Sequence, residues 1–365
     1  MTPPRVTVVI VNWNGREFLA ACLGAVAAAA NAVSVATIVI DNGSTDGSQE
    51  FVQREFPGVK FVQHERNDYT AANNRGIAEA KGDYALLLNT DATLRPGCLR
   101  ALVAALDAAP KTAAAAPKIV FPDGRICTTG IEQREDLYWT DRDGGAPDRG
   151  EGGEAQEVLG VSGCCALFRV SAWREVGGQD EDFHMYYEDV DLALRLREAG
   201  WRSLYVPSAV CEHIGHGSIR KAKTWKDELG ERNRLLVLAR HFRLAFAKEL
   251  VRSPWFQSAA PEQVRELLPK LAARFGKQQQ DMQLDLMLAM RDAVREQAGE
   301  LDGKWGEHRN LPKILGEREE WIALLLEEVA RLRLWRLPGK RLKPDERAFL
   351  DRVRGRPGGS GSGGK

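Results

Sequence analysis

The chain has no excess of either charge: 51 Lys and Arg stand against 51 Asp and Glu, a formal net charge of +0. A surface that tracks a phosphate backbone needs a basic surplus, so no nucleic-acid partner is expected. Cysteine is sparse, six in 365 residues at positions 22, 98, 127, 164, 165 and 211, with no C-x-x-C spacing. That excludes a disulfide framework and points to a reduced, cytoplasmic chain, with the adjacent Cys164-Cys165 read as small buried filler. Met1–Pro4 lead into a strand-like run without a basic leader or cleavage site, so no secretory signal is expected. The alanine-rich stretch from Leu19 to Ala36 is only weakly apolar and contains Asn31, which favours a packed helix over a membrane span. Also missing are Gly-x-Gly-x-x-Gly after the first strand and Gly-x-x-x-x-Gly-Lys-Ser/Thr anywhere. Dinucleotide dehydrogenases and P-loop NTPases are thereby removed.

What is present is a regular alternation. Val6–Val11 (VTVVIV) is a continuous β-branched run, as in a strand buried on both faces of a parallel sheet. Further strands are expected at Val35–Ile40, Val59–Gln63 and Tyr84–Leu88, separated by helical segments. Four alternations in about 110 residues predict an α/β fold, a mostly parallel sheet with flanking helices. Beyond these come a helix at Leu99–Ala108, a strand near Ala113–Ile119 and a Gly-rich loop at Asp141–Gly153. A strand at Val158–Arg169, interrupted at Gly163, and another at Trp201–Val206 follow. From about Trp225 strand signals vanish and Glu, Arg, Lys, Leu and Ala dominate.

The expected domains are therefore 1–224, a helical domain at 225–352, and a flexible Gly/Ser tail at 353–365 of added-linker composition. In the helical domain, Arg331, Arg333, Arg336, Lys340, Arg341 and Lys343 gather beside Trp335. They suit a solvated helix face, peripheral contact with the inner face of a membrane, or a homo-oligomer interface.

Open α/β sheets bind ligands outside the carboxyl ends of their strands. Asn12, Asn14, Asp41 and Asp91 fall at such ends and are expected to line one crevice. Asp91 has the chemistry of a hard-metal ligand, since Mg²⁺ and Mn²⁺ take oxygen donors and bridge carboxylates to diphosphates. His213 can add a nitrogen donor, or serve the core as an ordinary histidine. Asp41 suits either a base N–H or an Asx turn, and Asp46 a helix cap. Glu188-Asp189-Val190-Asp191 puts three carboxylates in four residues at the start of a helical pattern stopped at Gly200. By itself that is an acidic first turn, stabilised by the helix dipole.

Read together, Val6–Gly15, Ile40–Ser48, Ala72–Ile77, Leu87–Asp91 and Tyr187–Asp191 resemble, in order, the motifs of family 2 glycosyltransferases, closest to the rhamnosyltransferase-like branch. The resemblance spans about residues 5–220. It implies a GT-A fold and inverting transfer from a nucleotide-sugar donor, dTDP- or UDP-linked with rhamnose the first choice, to a glycan or lipid-linked acceptor. It implies Asp41 at the base, and Asn12, Asn14, Asn74, Asn89 and Thr90 around the nucleotide. Asp91 and His213 would hold Mn²⁺ or Mg²⁺. Asp189 would be the general base, with Glu188 orienting it or the acceptor, and Gly163 and Cys164 on the acceptor side. Asn89 departs from the family by standing where the first Asp of the metal motif is expected. A degenerate GT-A domain that binds glycan or protein is the alternative, and a sugar nucleotidyltransferase a third reading.

Overall fold

The computed structural model describes residues 4–150, 152–215 and 223–242, with positions 249, 253, 255, 263, 266, 267 and 270. The expected basic cluster at Trp335 and the tail at 353–365 lie outside the described residues, as does most of the expected helical domain. Two compact units divide at Asn233/Arg234; the sheet belongs to the first.

The opening alternation forms as the residues dictate: β1 (Val6–Asn12), α1 (Arg16–Ala29), β2 (Val35–Asp41), α2 (Ser48–Glu55), β3 (Lys60–Gln63), α3 (Tyr69–Ala78) and β4 (Tyr84–Asn89). β1 lies between β2 and β4, parallel to both, and is buried throughout except at the half-buried Val11. A strand enclosed on both faces has no polar side to present, hence its unbroken apolar run. α3 packs so closely on β1 that a Cβ at Gly76 would stand 2.2 Å from Val9 Cγ1.

Then follow β5 (Ala92–Leu94), α4 (Cys98–Ala108), β6 (Thr112–Val120), β7 (Ile126–Thr128), β8 (Ile131–Gln133), β9 (Trp139–Asp141), β10 (Gln156–Val158), β11 (Cys165–Arg169), α5 (Val170–Glu175), α6 (Glu188–Glu198), β12 (Arg202–His213) and α7 (Lys223–His241). The main path of the sheet is β10-β12-β6-β11-β4-β1-β2-β3. β11 runs antiparallel between β4 and β6, so the sheet is mixed but mostly parallel.

One expected strand is two. Val158–Arg169 divides into the end of β10, paired with β12, and β11, paired with β4 and β6. The reason is the pair of glycines between them. A Cβ at Gly160 would meet Ala193 Cβ at 2.5 Å, and one at Gly163 would meet the Tyr69 hydroxyl at 3.3 Å. At Gly160 the backbone thus passes directly against α6, where a side chain has no room, and at Gly163 the fit against Tyr69 is tight. α6 ends with Gly200 at φ +85°, the left-handed stop expected there.

Candidate active site

A crevice of about 940 Å³ opens at the carboxyl ends of β1 and β4, within the usual range for small-molecule sites. Trp13 and Asn14 line it from the turn after β1, Asn89, Thr90 and Asp91 from the turn after β4, and Glu188 and Asp189 from the start of α6.

Strand register explains the pairing of Asp91 with His213. β5 begins directly after Asp91 and pairs antiparallel with the end of β12, so that His213 faces Ala92. The Ile214 N–H then donates to the Asp91 carbonyl at 3.0 Å, and His213 Nε2 comes to 3.2 Å from Asp91 Oδ1. Cys127, on β7, approaches the other ring nitrogen, Nδ1, with Sγ at 3.6 Å. Two donors on a Mg²⁺ or Mn²⁺ at about 2.1 Å, at right angles, stand about 3 Å apart. The Asp91–His213 spacing therefore fits one edge of an octahedral site. Among the described residues no group of three or more His, Cys, Asp and Glu side chains is set to hold a metal. The donor set fits a cation that takes its remaining oxygens from a diphosphate and water, as Mg²⁺ commonly does.

Glu188 and Asp189 form the acidic floor. Glu188 is buried, and its Oε2 has no hydrogen-bond partner among the described residues. Asp189 Oδ1 accepts from the Val190 N–H at 2.9 Å and Oδ2 from the Gly163 N–H at 3.4 Å. Burial, followed by the charge of Asp141, pushes the Asp189 carboxyl up to about 6. Burial and then Asp189 push Glu188 well above the usual carboxylate range. Two adjacent carboxyls that are both pushed up by burial titrate as a coupled pair rather than as independent groups. Tyr69 closes this floor: its hydroxyl lies 3.1 Å from both Asn89 Oδ1 and the Gly163 carbonyl.

Gly163 and Cys164 line the crevice beside this floor. Asn12, Asp41 and Asn74, expected around the nucleotide, do not reach it. Asn12 is fully buried and donates to Asp41 Oδ1 at 2.7 Å, because β1 and β2 end in register at these two residues. Asp41 Oδ2 accepts from the Ser44 N–H at 2.9 Å and from Gln63 Nε2 at 3.0 Å. The Asp41 carboxylate thus braces the turn after β2 and the ends of β1 and β3. Asn74 ties α3 to the segment before α6 through the backbone of Gln179, at 2.8 and 3.0 Å. Asp46 takes the N–H of Arg16 at the start of α1, as well as that of Ser48.

Several lining residues carried no signal of their own in the sequence. Trp139 meets Tyr187 edge to face at 6.1 Å on the crevice wall. Asn42 and Asn67 also line it. Cys127 could be found only through strand pairing, since no second cysteine stands at ligand spacing.

Residues 7–177 match the family described as Glycosyl transferase family 2. The N-acetylglucosaminyl-diphospho-decaprenol L-rhamnosyltransferase of Mycobacterium tuberculosis is 36% identical over 211 residues, covering 51% of this chain and 69% of that protein. The succinoglycan biosynthesis protein ExoA of Rhizobium meliloti is 31% identical over 176 residues, covering 45% and 49%. Among solved structures, GalNAc-T7 with UDP, GalNAc and Mn²⁺ superposes with a TM-score of 0.52 at 16% identity, over 74% of this chain and 55% of that one. At that identity the likeness concerns the fold alone, and it agrees with a GT-A-like sheet. With its motifs in order and a relative matched over more than two thirds of its length, this chain is a member of glycosyl transferase family 2, in the rhamnosyltransferase-like branch.

Proposed function

We propose that the protein is an inverting glycosyltransferase that moves a sugar, rhamnose by first preference, from a nucleoside diphosphate to a hydroxyl of a glycan or lipid-linked acceptor. The observation that carries this reading is the crevice itself, which sets the adjacent Glu188 and Asp189 carboxyls in one space with the Asp91–His213 edge.

Asp189 accepts the proton of the acceptor hydroxyl as that oxygen attacks the anomeric carbon. The bond from that carbon to the diphosphate oxygen breaks on the opposite face, and the electron pair leaves with the nucleoside diphosphate. A carboxylate raised to about 6 is a stronger base than an exposed one and is still ionised at neutral pH. Glu188, its carboxyl raised by burial beside Asp189, is placed to hold a hydroxyl of acceptor or sugar. Asp91 and His213 would hold Mn²⁺ or Mg²⁺, which when bound offsets charge on the leaving diphosphate. With Asn89 in place of a second carboxylate, that hold should be weaker than in a site with two acids.

A lipid-linked acceptor would be met at a membrane surface, since no helix among the described residues is long and apolar enough to cross one. The deciding experiment is calorimetric titration of dTDP, UDP and GDP, each with and without Mn²⁺. Metal-dependent binding of one diphosphate is expected. Binding of none would transfer the weight to a glycan- or protein-binding module.

A further inference from the structure

We infer that Asn233, on α7 and outside the crevice, is a positioning residue that sets the backbone carrying Glu188 and Asp189; the inference rests on the reading of Asp189 as the base. The segment before α6 is bent into a conformation that L-residues avoid. His184, Tyr186 and Tyr187 have φ of 64°, 66° and 66°, and none is a glycine. Such a run persists only where its surroundings impose it.

What imposes it is a set of donors aimed at its carbonyls. Asn233 is fully buried, and its Nδ2 stands 2.8 Å from the carbonyl oxygens of Phe183 and Met185 and 2.7 Å from that of Tyr186. The neighbouring Arg232 donates from Nη1 to the Asp182 carbonyl at 3.0 Å and to Asn233 Oδ1 at 2.5 Å. The guanidinium can only donate and the three carbonyls can only accept, so the orientation of the Asn233 amide is fixed by its partners. The remaining carbonyl, of His184, takes the Thr70 N–H of α3 at 3.2 Å. All five carbonyls from Asp182 to Tyr186 thus face donors from other elements, three of them sharing the two N–H groups of the Asn233 amide. The Tyr187 carbonyl then opens α6 by accepting from Asp191 N at 3.0 Å.

Without the Asn233 donor, three carbonyl dipoles would converge on a buried point with nothing to hold them. Relaxation of Tyr186 and Tyr187 would turn the first residues of α6, and with them the direction of Asp189. The donor-side groups Asn14, Asp91 and His213 lie on other turns and strands and would stay in place.

Asn233→Asp keeps the volume and replaces the donor with oxygen; Asn233→Ser keeps a single donor. Using the full chain with a sugar-nucleotide donor, kcat is expected to fall about 100-fold in Asn233→Asp and less in Asn233→Ser. The KM for donor and the affinity for its diphosphate should stay within about twofold, with the melting temperature reported alongside. Faster amide exchange across 184–190, with the β1–β4 amides unchanged, is the accompanying signature. An unchanged kcat in Asn233→Asp would overturn the inference, as would equal loss of donor affinity and kcat, or failure of both variants to fold. Asp189→Asn assayed beside them separates the two readings. Transfer surviving in Asp189→Asn removes the base, whereas transfer lost there but intact in Asn233→Asp removes only the positioning role.

Discussion

His213 Nε2 stands 3.2 Å from Asp91 Oδ1 because β12 pairs with the short strand that begins immediately after Asp91. The two residues are far apart in the chain, and a single antiparallel register brings their side chains together.

Asp91→Ala should abolish the effect of Mn²⁺ on diphosphate binding, and His213→Ala should weaken it. Calorimetry with dTDP or UDP, with and without the metal, checks both. Unchanged metal dependence in Asp91→Ala would remove it as a ligand.

Cys127 Sγ faces His213 Nδ1 at 3.6 Å. A hydrogen on Nδ1 directed at sulfur leaves the Nε2 lone pair for a cation, the usual service of a group behind a metal-binding histidine. Cys127→Ala is expected to loosen Mn²⁺ by about tenfold. Direct metal titration measures this without reference to turnover.

The pH dependence of kcat should show an acid limb with an apparent pKa near 6, because Asp189 must be ionised to accept a proton. Asp141 is the second cause of that raised value, after burial. Asp141→Asn removes a like charge, favours the anion, and should move the limb to lower pH. The same shift has a stability sign. The raised carboxyl favours the fold fully below its ordinary value of 3.8, and that contribution is lost as pH rises through about 6. Paired melts of wild type and Asp189→Asn at pH 4 and pH 7 read this difference.

Gly76→Ala should destabilise the fold by about 1–3 kcal/mol, because its Cβ would meet Val9 Cγ1 inside a tightly packed interface. Denaturant unfolding checks the size. Gly24→Ala, whose Cβ would meet nothing within 4 Å, is the control. It is expected to be neutral or slightly stabilising in a helix.

Much of this molecule is legible in one dimension. The apolar runs of β1, β2 and β4 fix strands enclosed on both faces, since only a parallel sheet covered by helices buries such runs. Motif order located Asn14, Asn89, Thr90, Asp91, Glu188 and Asp189, and the crevice gathers all of them together with His213. Strand ends alone could not say which side chains turn into the crevice. Asn12 and Asp41 sit in register on neighbouring strands and satisfy each other, while Asn74 serves the backbone of Gln179. Pairing between strands and packing between helices decided the rest: Cys127 behind His213, Tyr69 over the acidic floor, and Asn233 beneath the tyrosine turn. Sequence determines which groups are present and the local period they follow. Only the tertiary structure determines which of them share a hydrogen bond, because each of those contacts joins residues separated by many positions in the chain.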